Sequence, residues 1–348
     1  MKNELQFKVP FTGFCSTTFI SCFTAVYMFL ENLAVESGYD CKRKDGLQCD
    51  DCGNCQKQDR YFFVFDTMCG HSSLRCRFDG EPTEMERLIC EAGFYDGGTD
   101  DNIDFLFGYA GYEYRKLVTP AEFESAIAAS VNAGKPVIAK VKTGEDRFRV
   151  IIGYDDGALI GPDYDNAQRK PEAPLTYGEI DAIYVFGGKT EPRFGVLDGL
   201  ERIRRIKEYN IKENLWGGYT EKMGLYTADS LRNADENEKK ARMKRVAETM
   251  WHTFNCHNFA EVFRNDYIAE LCDPALAAPR KKIGGPCFGY THDLAWALIG
   301  LEACADWSKH AAGYFGEMVE LTLSQIAKND VAALEAVNEI ISFLKNKK

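Results

Sequence analysis

Histidine is scarce in this chain. Five occur in 348 residues, and none lies between His71 and His252. A reaction that needs an imidazole from the first 250 residues therefore has only His71 to draw on. Basic charge is short as well: 42 Lys and Arg stand against 53 Asp and Glu, a net charge of −11. That balance lacks the basic footprint which a phosphate backbone or an anionic bilayer requires, so neither nucleic acid nor membrane is expected as a partner. No apolar run approaches the roughly 18 residues of a membrane span, and MKNELQFKVPFTGF carries no apolar core or small-residue cleavage pattern of an export signal. The protein is expected in the cytoplasm. Its 13 cysteines then read as reduced thiols, some of them holding metal, rather than as a disulfide framework.

What is present is the composition of a folded globular protein, 45% hydrophobic and 27% charged, with length enough for two domains. Residues 16 to about 34 contain no Pro or Gly and predict a long apolar helix, with Ser and Thr at its front to accept first-turn N–H groups. The turn Phe11-Thr12-Gly13-Phe14-Cys15 delivers one thiol to that helix. There the macrodipole and unpaired N–H groups favour a thiolate, which makes Cys15 a candidate nucleophile; the alternative is one more buried small hydrophobe.

Cys41, Cys49, Cys52 and Cys55 follow in the spacing C-x7-C-x2-C-x2-C, among Gly, Asp, Asn and Lys. Two Cys-x2-Cys turns bring thiolates together, and four sulfurs complete a tetrahedral shell. The insertion at about 41–55 is therefore a candidate structural zinc site, with an iron–sulfur cluster second and free thiols the alternative. Tyr61-Phe62-Phe63-Val64-Phe65 reads as a strand. It leads into a small-residue turn that holds Cys69 and His71, a reserve candidate for chemistry.

Residues 81–94 read as a helix and 95–104 as an acidic, glycine-rich turn. Residues 119–134 predict a helix with Pro120 in its first turn and Gly134 as its stop. Strands are expected over 135–141, 148–154 and 157–161, the last two joined by the Asp155-Asp156-Gly157 hairpin turn, and a further turn and strand over 175–186. Together these make an α+β domain in which the cysteine-led helix packs on an antiparallel sheet. Apolar residues at spacings of three and four then predict helices at 197–211, 219–234, 238–263, 288–308 and 310–345. The expected organisation is an α+β domain over 1–195 followed by an all-helical domain over 196–348. His252, Cys256 and His257 share a helix face without further ligands nearby and read as packing.

A cysteine leading a long helix, then Gly-Lys-Pro-Val-Ile-Ala from residue 134, Phe-x-Val-Ile-Ile-Gly-Tyr-Asp-Asp from 148 and Gly-Pro-Asp at 161–163, resembles the papain-like superfamily. In particular it is similar to the branch holding C39-type peptidases and the butirosin biosynthesis protein H family, whose members also carry a helical second domain. The resemblance implies that Cys15 is the nucleophile and that Asp163 orients a histidine placed just before Phe148. The residue there is Arg147. An arginine can stabilise a thiolate by charge, yet it neither takes nor returns a proton at neutral pH. His71 is the nearest imidazole that could serve instead.

Two functions follow. One is a diverged cysteine peptidase, amidase or acyltransferase working through a Cys15 thioester. The other is an inactive domain that binds a small molecule or peptide in the same cleft, with Phe14, Arg147 and Tyr154 as ligand contacts and Arg147 pairing a carboxylate. No organic cofactor is expected, and a homo-oligomer stays open.

Overall fold

The computed structural model describes residues 2–7, 18–33, 61–62, 64–70, 73, 100–142, 148–162, 175–213, 235, 237–238 and 316–346. The chain groups into two compact units, Met1–Phe65 with Tyr95–Phe194, and Asp66–Phe94 with Gly195–Lys348. The segment Asp66–Phe94, expected within the first domain, groups with the second unit.

Among the described residues the first unit runs β1 (Lys2–Glu4), α1 (Phe19–Leu30), α2 (Asp100–Ala110), β2 (Tyr112–Leu117), α3 (Pro120–Asn132), β3 (Val137–Val141), β4 (Phe148–Ile151), β5 (Gly153–Asp155), β6 (Ala158–Ile160), β7 (Leu175–Thr176) and β8 (Ile180–Lys189). Its class is α+β, as the texture of the sequence predicts. One antiparallel sheet has the order β2-β8-β3-β4 and the other β1-β5-β6-β7. Residues alternate along β3 and β8 with a period of two, so each strand feeds two cores. Val137, Ala139, Val141, Ile183 and Val185 join Phe123, Ile127 and Val131 of α3 in one cluster. Tyr184 and Phe186 instead meet Phe19 and Phe23 of α1.

Pro120 opens α3 and Gly134 follows its end, as expected, with the Lys135 N–H returning to Ser130 O at 2.9 Å. The hairpin between β5 and β6 turns on Asp156 (φ 42°) and Gly157 (φ 91°), both in the left-handed region that a two-residue turn of this hand requires.

Four expectations are corrected. Residues 61–62 and 64–68 are helical, not extended. Tyr-Phe-Phe-Val-Phe satisfies either period, and the helical spacing shows in Tyr61 and Phe65, four apart, both meeting Tyr27 at 5.9 and 5.0 Å between ring centroids. Residues 100–104, read as turn, open α2. The expected strand 148–154 is split between the two sheets at Ile152, whose N–H goes to Ile160 O and whose C=O accepts from the Leu5 N–H, each at 2.9 Å. A Cβ on the next residue, Gly153, would lie 2.6 Å from Asn3 O, so β1 can approach β5 only beside a glycine. The cysteine-led helix starts at Phe19 and ends at Leu30, shorter at both ends than the run 16–34. β1 and β2 have no counterpart in the sequence reading.

In the second unit α4 (Val196–Lys212) and α5 (Gly316–Asn346) pack together. α4 buries Gly199, Leu200, Ile203, Ile206, Lys207 and Asn210 on one stripe, and α5 buries Ala333, Ala336, Val337, Ile340 and Ile341. The segment around residue 70 lies on α4, with Arg202 Nε donating to Cys69 O at 3.1 Å and Asn210 Nδ2 to Ser73 O at 2.8 Å. The helices expected at 81–94, 219–234 and 288–308 lie outside the described residues, as does 239–263.

Candidate functional site

Cys15, Phe14, His71, Arg147 and Asp163 lie outside the described residues, and so do Cys41, Cys49, Cys52 and Cys55. Their described neighbours in sequence are Thr18, Phe148, Pro162 and Gly70. Thr18, three residues after Cys15, is the N-cap of α1: its Oγ1 accepts the Ser21 N–H at 3.2 Å and lies 3.0 Å from Ser21 Oγ. Thr18 O takes the Cys22 N–H. The Phe19 and Ile20 N–H groups thus remain without an acceptor among the described residues, at the positive end of the helix.

Phe19 is the first helical residue and is fully buried. Its ring meets Phe148 edge-on at 5.4 Å and Tyr184 at 4.9 Å between centroids. Phe148 opens β4 and directly follows Arg147. The tip of α1 and the start of β4 are therefore in contact.

Tyr154 is the described member of the expected set. It lies on β5 within the α3 core, 8% exposed, and its hydroxyl donates to Asn132 Oδ1 at 3.1 Å. Asn132 Oδ1 also accepts from Asn3 Nδ2 at 2.6 Å, which ties β1, α3 and β5 to one amide.

Sequence reasoning missed a polar cluster at the other end of α1. Glu31, the C-cap, accepts the Tyr112 hydroxyl at 2.6 Å and Lys189 Nζ at 2.6 and 2.5 Å. Burial pushes the Glu31 carboxyl up, but the bonds from Lys189 and Tyr112 and the lysine charge outweigh it and hold the group below the ordinary carboxylate range. Burial first, and then the Glu31 charge and Tyr61, push the Tyr27 hydroxyl up to about 12. Burial and the bond to Glu31 raise Tyr112 likewise. Nothing in the local sequence signals this cluster, because its members are 81 and 158 residues apart. The cluster reads as a clamp on α1.

In the second unit Cys69 is fully buried, with Sγ donating to Asp66 O at 3.4 Å. Asp66, Thr67, Ser73, Lys207 and Asn210 are buried in the same unit. Among the described residues no group of three or more His, Cys, Asp or Glu side chains is placed to hold a metal ion, and no helix is long and apolar enough to cross a membrane.

Comparison of the chain with protein-family models, with curated proteins and with solved structures finds no match in any of the three.

Proposed function

We propose that the first unit is a diverged papain-like domain that forms a thioester on Cys15. The observation that carries this reading is the contact between Phe19 and Phe148 at 5.4 Å. It joins the tip of α1 to the start of β4, the two ends at which the resemblance sets nucleophile and base. The N–H groups of Phe19 and Ile20, which have no acceptor among the described residues, add a field that favours a thiolate at that tip.

Arg147 limits the chemistry. The Cys15 thiolate adds to an acyl carbonyl, the bond to the leaving group breaks, and that group departs with the electron pair. An amine leaving group needs a proton at that moment, which arginine does not give at neutral pH. A thiolate leaving group needs none, so an acyl thioester is the donor that suits this site better than a peptide. The acyl group then passes to an amine, whose proton goes to solvent, and the Cys15 thiolate is regenerated. In this reading Asp163 holds Arg147, the residues from 196 onward form a helical domain, and the protein works in the cytoplasm on small molecules. Cys41, Cys49, Cys52 and Cys55 would hold a structural zinc; release of zinc by a chelator, abolished in Cys49→Ser, checks that part.

The experiment is acyl transfer from the acetyl thioester of N-acetylcysteamine at pH 7, read by peptide mass, beside the rate of iodoacetamide labelling at each thiol. The expected result is an acetyl group on Cys15, none in Cys15→Ala, and labelling of Cys15 well below pH 8 that slows in Arg147→Ala. Labelling of Cys15 as slow as that of the other thiols, with no acetylation, removes the enzyme and leaves the ligand-binding domain.

A further inference from the structure

We propose that residues 2–7 form an exchangeable strap, a short strand with two apolar anchors, and that the groove in which it lies takes the same segment from a second copy of this chain. The inference stands apart from the thioester reading, because no residue of the proposed reacting set belongs to the strap or to its seats.

The segment is held in two ways at once. Its backbone adds to the edge of a sheet: Lys2, Asn3 and Glu4 pair with Asp155, Tyr154 and Gly153 of β5, and the Leu5 N–H extends the line to Ile152 O at 2.9 Å. Its side chains take turns. Glu4 and Gln6 are exposed, whereas Asn3, Leu5 and Phe7 are half-buried and each has a seat of its own. Asn3 Nδ2 donates to Asn132 Oδ1 at 2.6 Å, and Leu5 packs against the α3 core. The Phe7 N–H turns back to Leu5 O at 2.9 Å, and the Phe7 ring stacks on Phe29 of α1 at 5.0 Å between centroids. Main-chain bonds from a sheet edge, with seats for alternate side chains, are the means by which sheets bind extended peptides. The groove therefore reads Asn-x-Leu-x-Phe, and every copy of the chain carries a sequence that fits it.

The hold is shallow. β1 has three paired residues, and none of Asn3, Leu5 and Phe7 is fully buried, unlike the middle of β3 and β8. Segments with so few buried contacts open at the low end of a protein's local unfolding free energies. Opening leaves the β5 edge unpaired beside two apolar seats, and the same segment of a neighbour closes both; exchange of an identical element is a low-cost route to a dimer. Held in its own chain, the strap competes at an effective concentration on the order of millimolar, so exchange is expected when chains refold together at about that concentration.

The test refolds the parent chain from urea at about 1 mM and after roughly a hundredfold dilution, and reads the mass by light scattering with and without an excess of the peptide KNELQF. The expected result is a dimer at the higher concentration, at least about tenfold less abundant when the peptide is present. The peptide carrying Leu5→Asp and Phe7→Asp should leave the dimer intact, while the one carrying Glu4→Ala and Gln6→Ala should disperse it as the parent peptide does. The full chain carrying Leu5→Asp and Phe7→Asp should stay monomeric and bind the labelled parent peptide in an anisotropy titration; the peptide arms need no variant of the chain and decide the matter if this one does not fold. A parent that is monomeric at both concentrations overturns the proposal. So does a dimer that the parent peptide leaves untouched, or that the Asp-bearing peptide disperses equally well.

Discussion

The helices α1 and α3 cover opposite faces of the sheet β2-β8-β3-β4, and they do so with different materials. α3 meets it with aliphatic groups, Ile127 and Val131 against Val137, Ala139, Ile183 and Val185, with one aromatic, Phe123. α1 meets it with rings, Phe19 and Phe23 against Phe148, Tyr184 and Phe186. Their ends differ too. The N-cap of α3, Thr119, makes no side-chain cap bond and leaves the start to Pro120, whereas Thr18 accepts the Ser21 N–H and Glu31 is held by Tyr112 and Lys189. Aliphatic packing is tolerant of angle; edge-to-face rings and fixed termini are not. The sheet therefore has one side that supplies burial and one that also fixes a helix in place, and the fixed helix is the one that the candidate nucleophile precedes.

Volume-conserving changes break the comparison most directly. Phe23→Leu loses four ring pairs and is expected to reduce stability by about 2 kcal/mol or more, while Ile183→Leu on the α3 side should cost under about 1.5 kcal/mol. Equal values in urea unfolding would mean that the rings act only as volume. The caps come next. Thr18→Ala is expected to cost about 1 kcal/mol and Thr119→Ala a few tenths at most, since only the first removes a bond; calorimetry of both variants decides it.

A smaller effect than the loss of the Thr18 cap is expected at Glu31. Its carboxyl is held below the ordinary range, so the stability it contributes is present above the usual carboxylate pKa of about 4.3 and is lost as pH falls through the lowered value. Glu31→Gln should cost about 0.5 kcal/mol at pH 7, because Lys189 is well exposed. Plots of urea midpoint against pH for parent and variant should converge as the pH drops below about 4. A gap that persists there would assign the clamp to the hydroxyl bond instead of the charge.

The parts of this fold that the sequence discloses are those with local punctuation. Thr119-Pro120 and Gly134 bracket α3, and Asp156-Gly157 marks its hairpin, because the backbone conformation at those residues is decided by the residues themselves. The helical state of residues 61–62 and 64–68 is hidden, since five apolar residues in a row suit strand and helix alike and the choice is made by Tyr27 across the core. β1 is Lys-Asn-Glu, with no strand character of its own; it is extended because β5 offers it a partner. The candidate site was legible only as spacing: Cys15, His71, Arg147 and Asp163 are recognisable by order and residue type, and no local pattern indicates that a ring four residues past the cysteine would touch the residue next to Arg147. Glu31 gave no signal, as neither Tyr112 nor Lys189 is near it in the chain.

Ile152 has a mechanical meaning. It stands where one run of chain leaves the first sheet and enters the second, the kind of place at which a hinge would be sought. Both of its backbone groups are committed, the N–H to Ile160 and the C=O to Leu5, and Gly153 beside it leaves no slack against Asn3. The corner is thus fastened on both sides, and opening it as a pivot would cost both backbone hydrogen bonds at once.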